Sequence, residues 1–217
     1  MTACQSSPIG NGFKGRTQMS ISNAPVARSN RVLADALPQA ALVDLVLVLA
    51  GAALVGLAAQ ISIPVHGSPV PITGQTFGVL FVGTALGARR GAISMGLYAI
   101  LGLFIPWYSE AKHGWSVLSG ATGGYIVGFI AAAAVCGWLA ERGNGRSPMA
   151  VLGTFIVGEA VIYAFGIPWL MHSTGMSFSA ALEAGFTPFF FTDLIKALFA
   201  AALLPAAWLG LKKLGRD

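Results

Sequence analysis

Three ionisable side chains stand inside long apolar stretches of this sequence: Glu159, Asp193 and Lys196. A charge held at hydrocarbon depth costs about 2.5–3.5 kcal/mol on insertion scales, so each calls for a chemical reason. Asp193 and Lys196 are spaced i, i+3, which makes them neighbours on one face of a helix. They can simply neutralise one another, yet a pair of leucines would fill the same space without the desolvation. A polar ligand explains them better. Lys196 brings three donors and a charge, while Asp193 brings acceptors only. Such a pair can grip a group with both a carbonyl and N–H donors, or a carboxylate beside a donor. Glu159, followed one turn later by Tyr163, admits two readings: it lines the same pocket, or it bonds to another helix.

Other polar positions gather at the starts of neighbouring apolar segments. Val70-Pro71-Ile72-Thr73-Gly74-Gln75-Thr76-Phe77 leads into one of them, placing Gln75 and Thr76 near its first turn. Gly120-Ala121-Thr122-Gly123-Gly124-Tyr125 leads into another. Glycines at a helix N-terminus expose N–H groups that favour an anion, although Gly123 and Gly124 equally suit close packing of helices. With these starts on one face, Gln75, Thr122, Gly124, Tyr125, Asp193 and Lys196 converge on a pocket. Residues 106–120 add Trp107, Tyr108, Glu110 and Trp115 as a wall or lid. The plainer use of those rings is an interfacial aromatic belt.

What must position these groups is a bundle of membrane helices. Of 217 residues, 55% are apolar and 10% charged, with mean hydropathy +0.73. Soluble domains carry roughly 25% charged residues, so a water-facing surface cannot be covered here. The net charge of +5 is spread over short loops, which excludes a nucleic-acid surface. Cys4 and Cys136 lie in a polar tail and an apolar segment, which excludes a disulfide framework. Segments 41–60, 76–86, 91–105, 121–140, 149–171 and 188–211 predict six crossings in an all-α membrane fold. The second and third are short, and five crossings result if they form one hairpin.

With six crossings, eleven of the thirteen Lys and Arg residues share one face: four in the N-terminal tail, Arg89 and Arg90, Arg142 and Arg146, and three at the C-terminus. That bias makes both termini cytoplasmic. The exceptions are Lys112, read as an ordinary solvent-side loop residue, and Lys196. Residues 1–40 read as a disordered cytoplasmic tail. Its Gly10-x-Gly12-x-x-Gly15 run follows no strand and opens no helix, so it is no dinucleotide site. No G-x-x-x-x-G-K-[ST] run occurs, leaving no visible means of hydrolysing ATP. His66, His113 and His172 are scattered loop residues, and no nucleophile–base pair suggests an enzyme or a bound cofactor.

From about Leu42 to Leu211 the sequence resembles the BioY biotin-transport proteins, the substrate-specific components of energy-coupling-factor (ECF) transporters. The resemblance rests on Ala59-Gln60-Ile61-Ser62-Ile63-Pro64, Pro69-Val70-Pro71-Ile72-Thr73-Gly74-Gln75-Thr76, Leu86-Gly87-Ala88-Arg89-Arg90-Gly91-Ala92, Thr122-Gly123-Gly124-Tyr125 and Asp193-Leu194-Ile195-Lys196-Ala197, in that order. It implies a six-helix bundle in the bacterial cytoplasmic membrane, biotin as the ligand, and a transmembrane coupling protein with cytoplasmic ATPases as partners. It also implies that Asp193 and Lys196 contact biotin, with Gln75, Tyr125 and the loop after the third helix completing the pocket. Lys196 then donates to the ureido carbonyl while Asp193 accepts from its N–H groups, or Lys196 pairs with the valerate carboxylate. Ala52 and Gly56 are an expected docking seam for the coupling protein. Assembly into homo-oligomers stays open. So do a related carrier for another vitamin and a self-sufficient transporter with Glu159 or Asp193 as proton carrier.

Overall fold

The structure is a computed structural model that describes residues 32–37 and 40–214. Apolar runs punctuated by glycine and proline set its helix limits. Helix α1 spans Ala41–Ala59 and ends at Gln60, whose amide donates back to the Gly56 carbonyl at 3.0 Å. Strand β1 (Ser62–Ile63) then pairs antiparallel with β2 (Ile72–Thr73), clasping the proline-rich loop between them. Helices α2 (Gln75–Leu86) and α3 (Ala88–Leu101) are joined by Gly87 alone, at φ 89°. That left-handed backbone is open to glycine because it carries no Cβ. Glu141 caps the junction by accepting from the Ala88 N–H at 2.9 Å, which satisfies one of the orphan donors of the α3 start.

One short helical turn at Ser109–Ala111 carries the chain to α4 (Trp115–Ser119) and then to α5 (Gly123–Leu139), which unwinds through a wide turn at Ala140–Asn144. Helix α6 (Pro148–Thr174) has Ser147 as its N-cap, with Pro148 just inside, and stops at the left-handed Gly175. The small α7 (Phe178–Gly185) precedes α8 (Phe190–Lys213). Among the described residues, α1, α5 with its following turn, α6 and α8 are long and apolar enough to cross a membrane. Helices α2 and α3, of 12 and 14 residues, reach only about 18 and 21 Å at 1.5 Å per residue. They are the short pair that the sequence marks.

Close approach of backbones holds the bundle together. A Cβ on Gly83 of α2 would lie 2.5 Å from the Ala133 carbonyl of α5, so the two helices meet without side chains between them. Arg90 gathers the basic end, bonding Asp44 at the start of α1 (2.8 Å) and Asp35 (3.3 Å). Residues 33–36 form a 3-10 turn there, with Val32 and Ala34 buried beside Ala140. The rest of the expected tail, with its glycine pattern, lies outside the described residues.

The seam expected at Ala52 and Gly56 needs correcting. Both face the bundle interior: Ala52 is fully buried, and a Cβ on Gly56 would sit 2.9 Å from the Trp107 ring. Small residues on α1 therefore serve internal packing, while the outward face carries Leu42, Leu45, Leu49 and Leu57.

Candidate ligand-binding site

The start of α8 faces α2 and α6, and a bonded cluster forms where they meet. Lys196 Nζ donates to Asp193 Oδ1 and to Thr76 Oγ1, each at 2.8 Å. Thr76 in turn donates to the same Asp193 oxygen at 3.2 Å, and the Tyr163 hydroxyl donates to the other. Both oxygens of the buried carboxylate are thus occupied. Two ammonium hydrogens of Lys196 are taken, leaving the third for the cavity that it lines.

That cavity holds about 260 Å³. Its buried end is polar, with Thr73, Gln75, Thr76, Tyr163 and Lys196. Gln75 is held by two bonds: its amide donates to the Tyr98 hydroxyl at 2.6 Å, and its carbonyl accepts from Thr73 at 3.0 Å. Tyr125, Ile126, Phe129, Ile162 and Phe189 make apolar sides. Residues 69–71 lean over one flank, anchored where Ser68 donates to the Ala184 carbonyl of α7 at 2.7 Å. The Tyr125 hydroxyl reaches the same helix end, donating to Gly185 at 3.1 Å. At the exposed end stand Ser109, Glu110, Lys112 and Ser116.

Six sequence-predicted residues line this space: Gln75, Glu110, Thr122, Tyr125, Tyr163 and Lys196. Asp193 sits immediately behind the wall, reached through Lys196, Thr76 and Tyr163. Glu159 lies in the same electrostatic cluster but off the cavity wall, and its buried Oε2 has no hydrogen-bond partner among the described residues. Three residues are placed elsewhere. Gly124 packs α5 against α6, where a Cβ would meet Trp169 at 2.2 Å. The Trp107 ring lies on Gly56, and Trp115 is 72% exposed, so neither indole lines the cavity.

Tyr108 is the aromatic that turns inward. Its ring packs on Gly102 and its hydroxyl donates to the Ala99 carbonyl at 2.6 Å. Burial pushes that hydroxyl up to about 12, so it stays a donor. Sequence reasoning also missed Lys112 as a lining residue. Its signal was the charge asymmetry, where it stood as one of two exceptions.

Membrane-length helices around a cavity with a bonded carboxylate–ammonium pair at its floor define a multi-pass membrane protein with a small-molecule site. The BioY family's sequence profile matches residues 29–213, and the chain belongs to that family. It is 39% identical over 150 residues to the biotin transporter BioY of Rhizobium etli, covering 65% of this chain and 80% of the relative. The Thermotoga maritima biotin transporter BioY is 38% identical over 163 residues, covering 75% and 91%. Among solved structures, the S-component for biotin from an ECF-type ABC transporter superposes with a TM-score of 0.69 at 21% identity. That match covers 76% of this chain and 90% of the other, and shows the fold.

Proposed function

We propose that this chain is the biotin-binding component of an ECF transporter, capturing its ligand from the outer face of the cytoplasmic membrane for uptake. The observation that carries the reading is the Lys196 ammonium, fixed by Asp193 and Thr76 with one hydrogen left for the cavity. A cavity of about 260 Å³ is slightly below the usual range of roughly 300–1,000 Å³ for ligand pockets, which suits a compact vitamin. Biotin's ureido group presents one carbonyl and two N–H donors. Lys196 donates to that carbonyl. The second lone pair on the Gln75 carbonyl and the Thr76 hydroxyl accept from the N–H groups, while Asp193 holds the ammonium in place. The thioether ring and aliphatic chain lie against Tyr125, Ile126 and Phe129.

Six crossings with cytoplasmic termini place the exposed end of the cavity outward. The basic cluster around Arg90 and Glu141 lies where the short α2–α3 connection and the α5–α6 connection meet, away from the loops that rim the cavity. A transmembrane coupling protein and cytoplasmic ATPases supply the energy. Equilibrium binding of biotin to the purified chain, beside riboflavin and thiamine, tests the reading. Biotin should bind far more tightly than either control, and Lys196→Met should lose it. Equal affinity for the three vitamins overturns the assignment.

A further inference from the structure

The cavity carries a second ion pair, at its exposed end. Glu110 and Lys112 sit on the turn after α3, both line the cavity, and Lys112 Nζ donates to Glu110 Oε2. Side-chain exposure separates the two pairs: 62% and 38% for Lys112 and Glu110, against 17% and 7% for Lys196 and Asp193. A solvated pair contributes little and exchanges partners cheaply, whereas breaking a buried pair strands a charge. Lys112 is held by one acceptor only among the described residues, while Lys196 is held by two.

The turn itself is fixed. Glu110 and Ala111 both adopt left-handed backbone, at φ 59° and 54°, which L-residues avoid. It persists because the Tyr108 N–H donates to the Lys112 carbonyl at 3.0 Å and the Lys112 N–H donates to Ser109 at 3.2 Å. A 3.0 Å bond between the Ser109 and Ser62 hydroxyls ties the turn to β1. The Lys112 backbone is therefore positioned at the cavity mouth while its side chain stays free to change partner.

We propose that Lys112 selects an anionic tail on the ligand: the carboxylate of the bound molecule displaces Glu110 from the Lys112 ammonium. This rests on the biotin reading and assigns the valerate end to the mouth. Charge counting points the same way. At the buried end, Asp193 already neutralises the single ammonium of Lys196. A second carboxylate there would have to be desolvated against it. At the mouth it keeps part of its water and meets an ammonium whose only competitor among the described residues is Glu110.

The test measures dissociation constants of the full chain for biotin and for biotin amide, which lacks the negative charge. Lys112→Met should weaken biotin about tenfold, the low end for a charge-assisted hydrogen bond, and leave biotin amide within about twofold. Glu110→Gln should tighten biotin and not the amide, and Lys112→Arg should preserve the preference. Equal weakening of both ligands by Lys112→Met would mark a merely structural turn and overturn the proposal. So would no change in either, or weaker biotin binding by Glu110→Gln. Lys196→Met losing both ligands while Lys112→Met spares both leaves the biotin reading standing and removes only this assignment. A wild-type chain that binds neither ligand removes both.

Discussion

Replacing Asp193 by asparagine keeps the shape of the side chain and removes its charge, which makes it a clean probe of the cluster. The Lys196 ammonium would face a neutral amide with only Thr76 as a strong partner, and the Tyr163 hydroxyl would meet either an acceptor oxygen or a competing donor. Removing one member of a buried ion pair costs about 3–5 kcal/mol because the other charge is stranded. Lys196 keeps 17% side-chain exposure, so water can reach it and the low end applies. About 3 kcal/mol corresponds to roughly 150-fold in an equilibrium constant. If that cost falls on the ligand-ready arrangement, biotin affinity drops by this factor, measurable by calorimetry in detergent. Where it falls on the fold, thermal stability drops too, and a second variant separates the cases. Adding Lys196→Met to Asp193→Asn removes the stranded charge, so the double variant should regain stability while remaining unable to bind biotin. Wild-type affinity and stability in Asp193→Asn would refute the reasoning, as would a double variant less stable than either single one.

Two further outcomes follow from particular contacts. Glu159→Gln keeps the volume of a side chain whose Oε2 makes no hydrogen bond among the described residues and which does not line the cavity. Biotin affinity should stay within about threefold, on the scale expected where no ligand contact is removed, and a loss matching Lys196→Met would place Glu159 on the ligand. Gly102→Ala introduces a Cβ 2.2 Å from the Tyr108 ring, so the ring must move and carry the Glu110–Lys112 turn with it. An accelerated biotin off-rate in stopped-flow measurements is expected, and an unchanged one would show that this turn does not retain the ligand.

The cost of intramembrane charge made Asp193 and Lys196 legible from sequence, and helix-start chemistry made Gln75 legible. Both signals are local, so they survive without tertiary information. The α3 limits were less so. Arg89 and Arg90 read as loop residues, yet α3 begins at Ala88 because Glu141, distant in sequence, caps its N–H group. The eight-residue α7 was hidden by its length and its serines. Lys112 was dismissed because nothing in its spacing announces a turn built from two left-handed residues. Neighbouring Trp107 and Tyr108 are equally aromatic, and only the bare surfaces of Gly56 and Gly102 decide which ring goes where. For Gly124 the sequence left packing and anion binding open, and the position of Trp169 supports packing.

The shortness of α2 connects the fold to the site. Its C-terminal end lies beside Gly87 and Glu141 at the basic end of the bundle, and its 12 residues reach about 18 Å. That is well short of a hydrocarbon core of about 30 Å, and before Gln75 the chain is the β1–β2 clasp rather than helix. The cavity lies at this start of α2, with Gln75 and Thr76 as its floor and residues 69–71 folded over it by the β1–β2 pair. A longer α2 would fill the space that the pocket occupies. The same shortening explains why the floor is polar: the first turn of a helix exposes unpaired N–H groups, and Thr73 meets one of them by accepting from Gln75 at 3.3 Å. The helix too short to span a membrane by itself is thus the one whose start leaves room for the cavity.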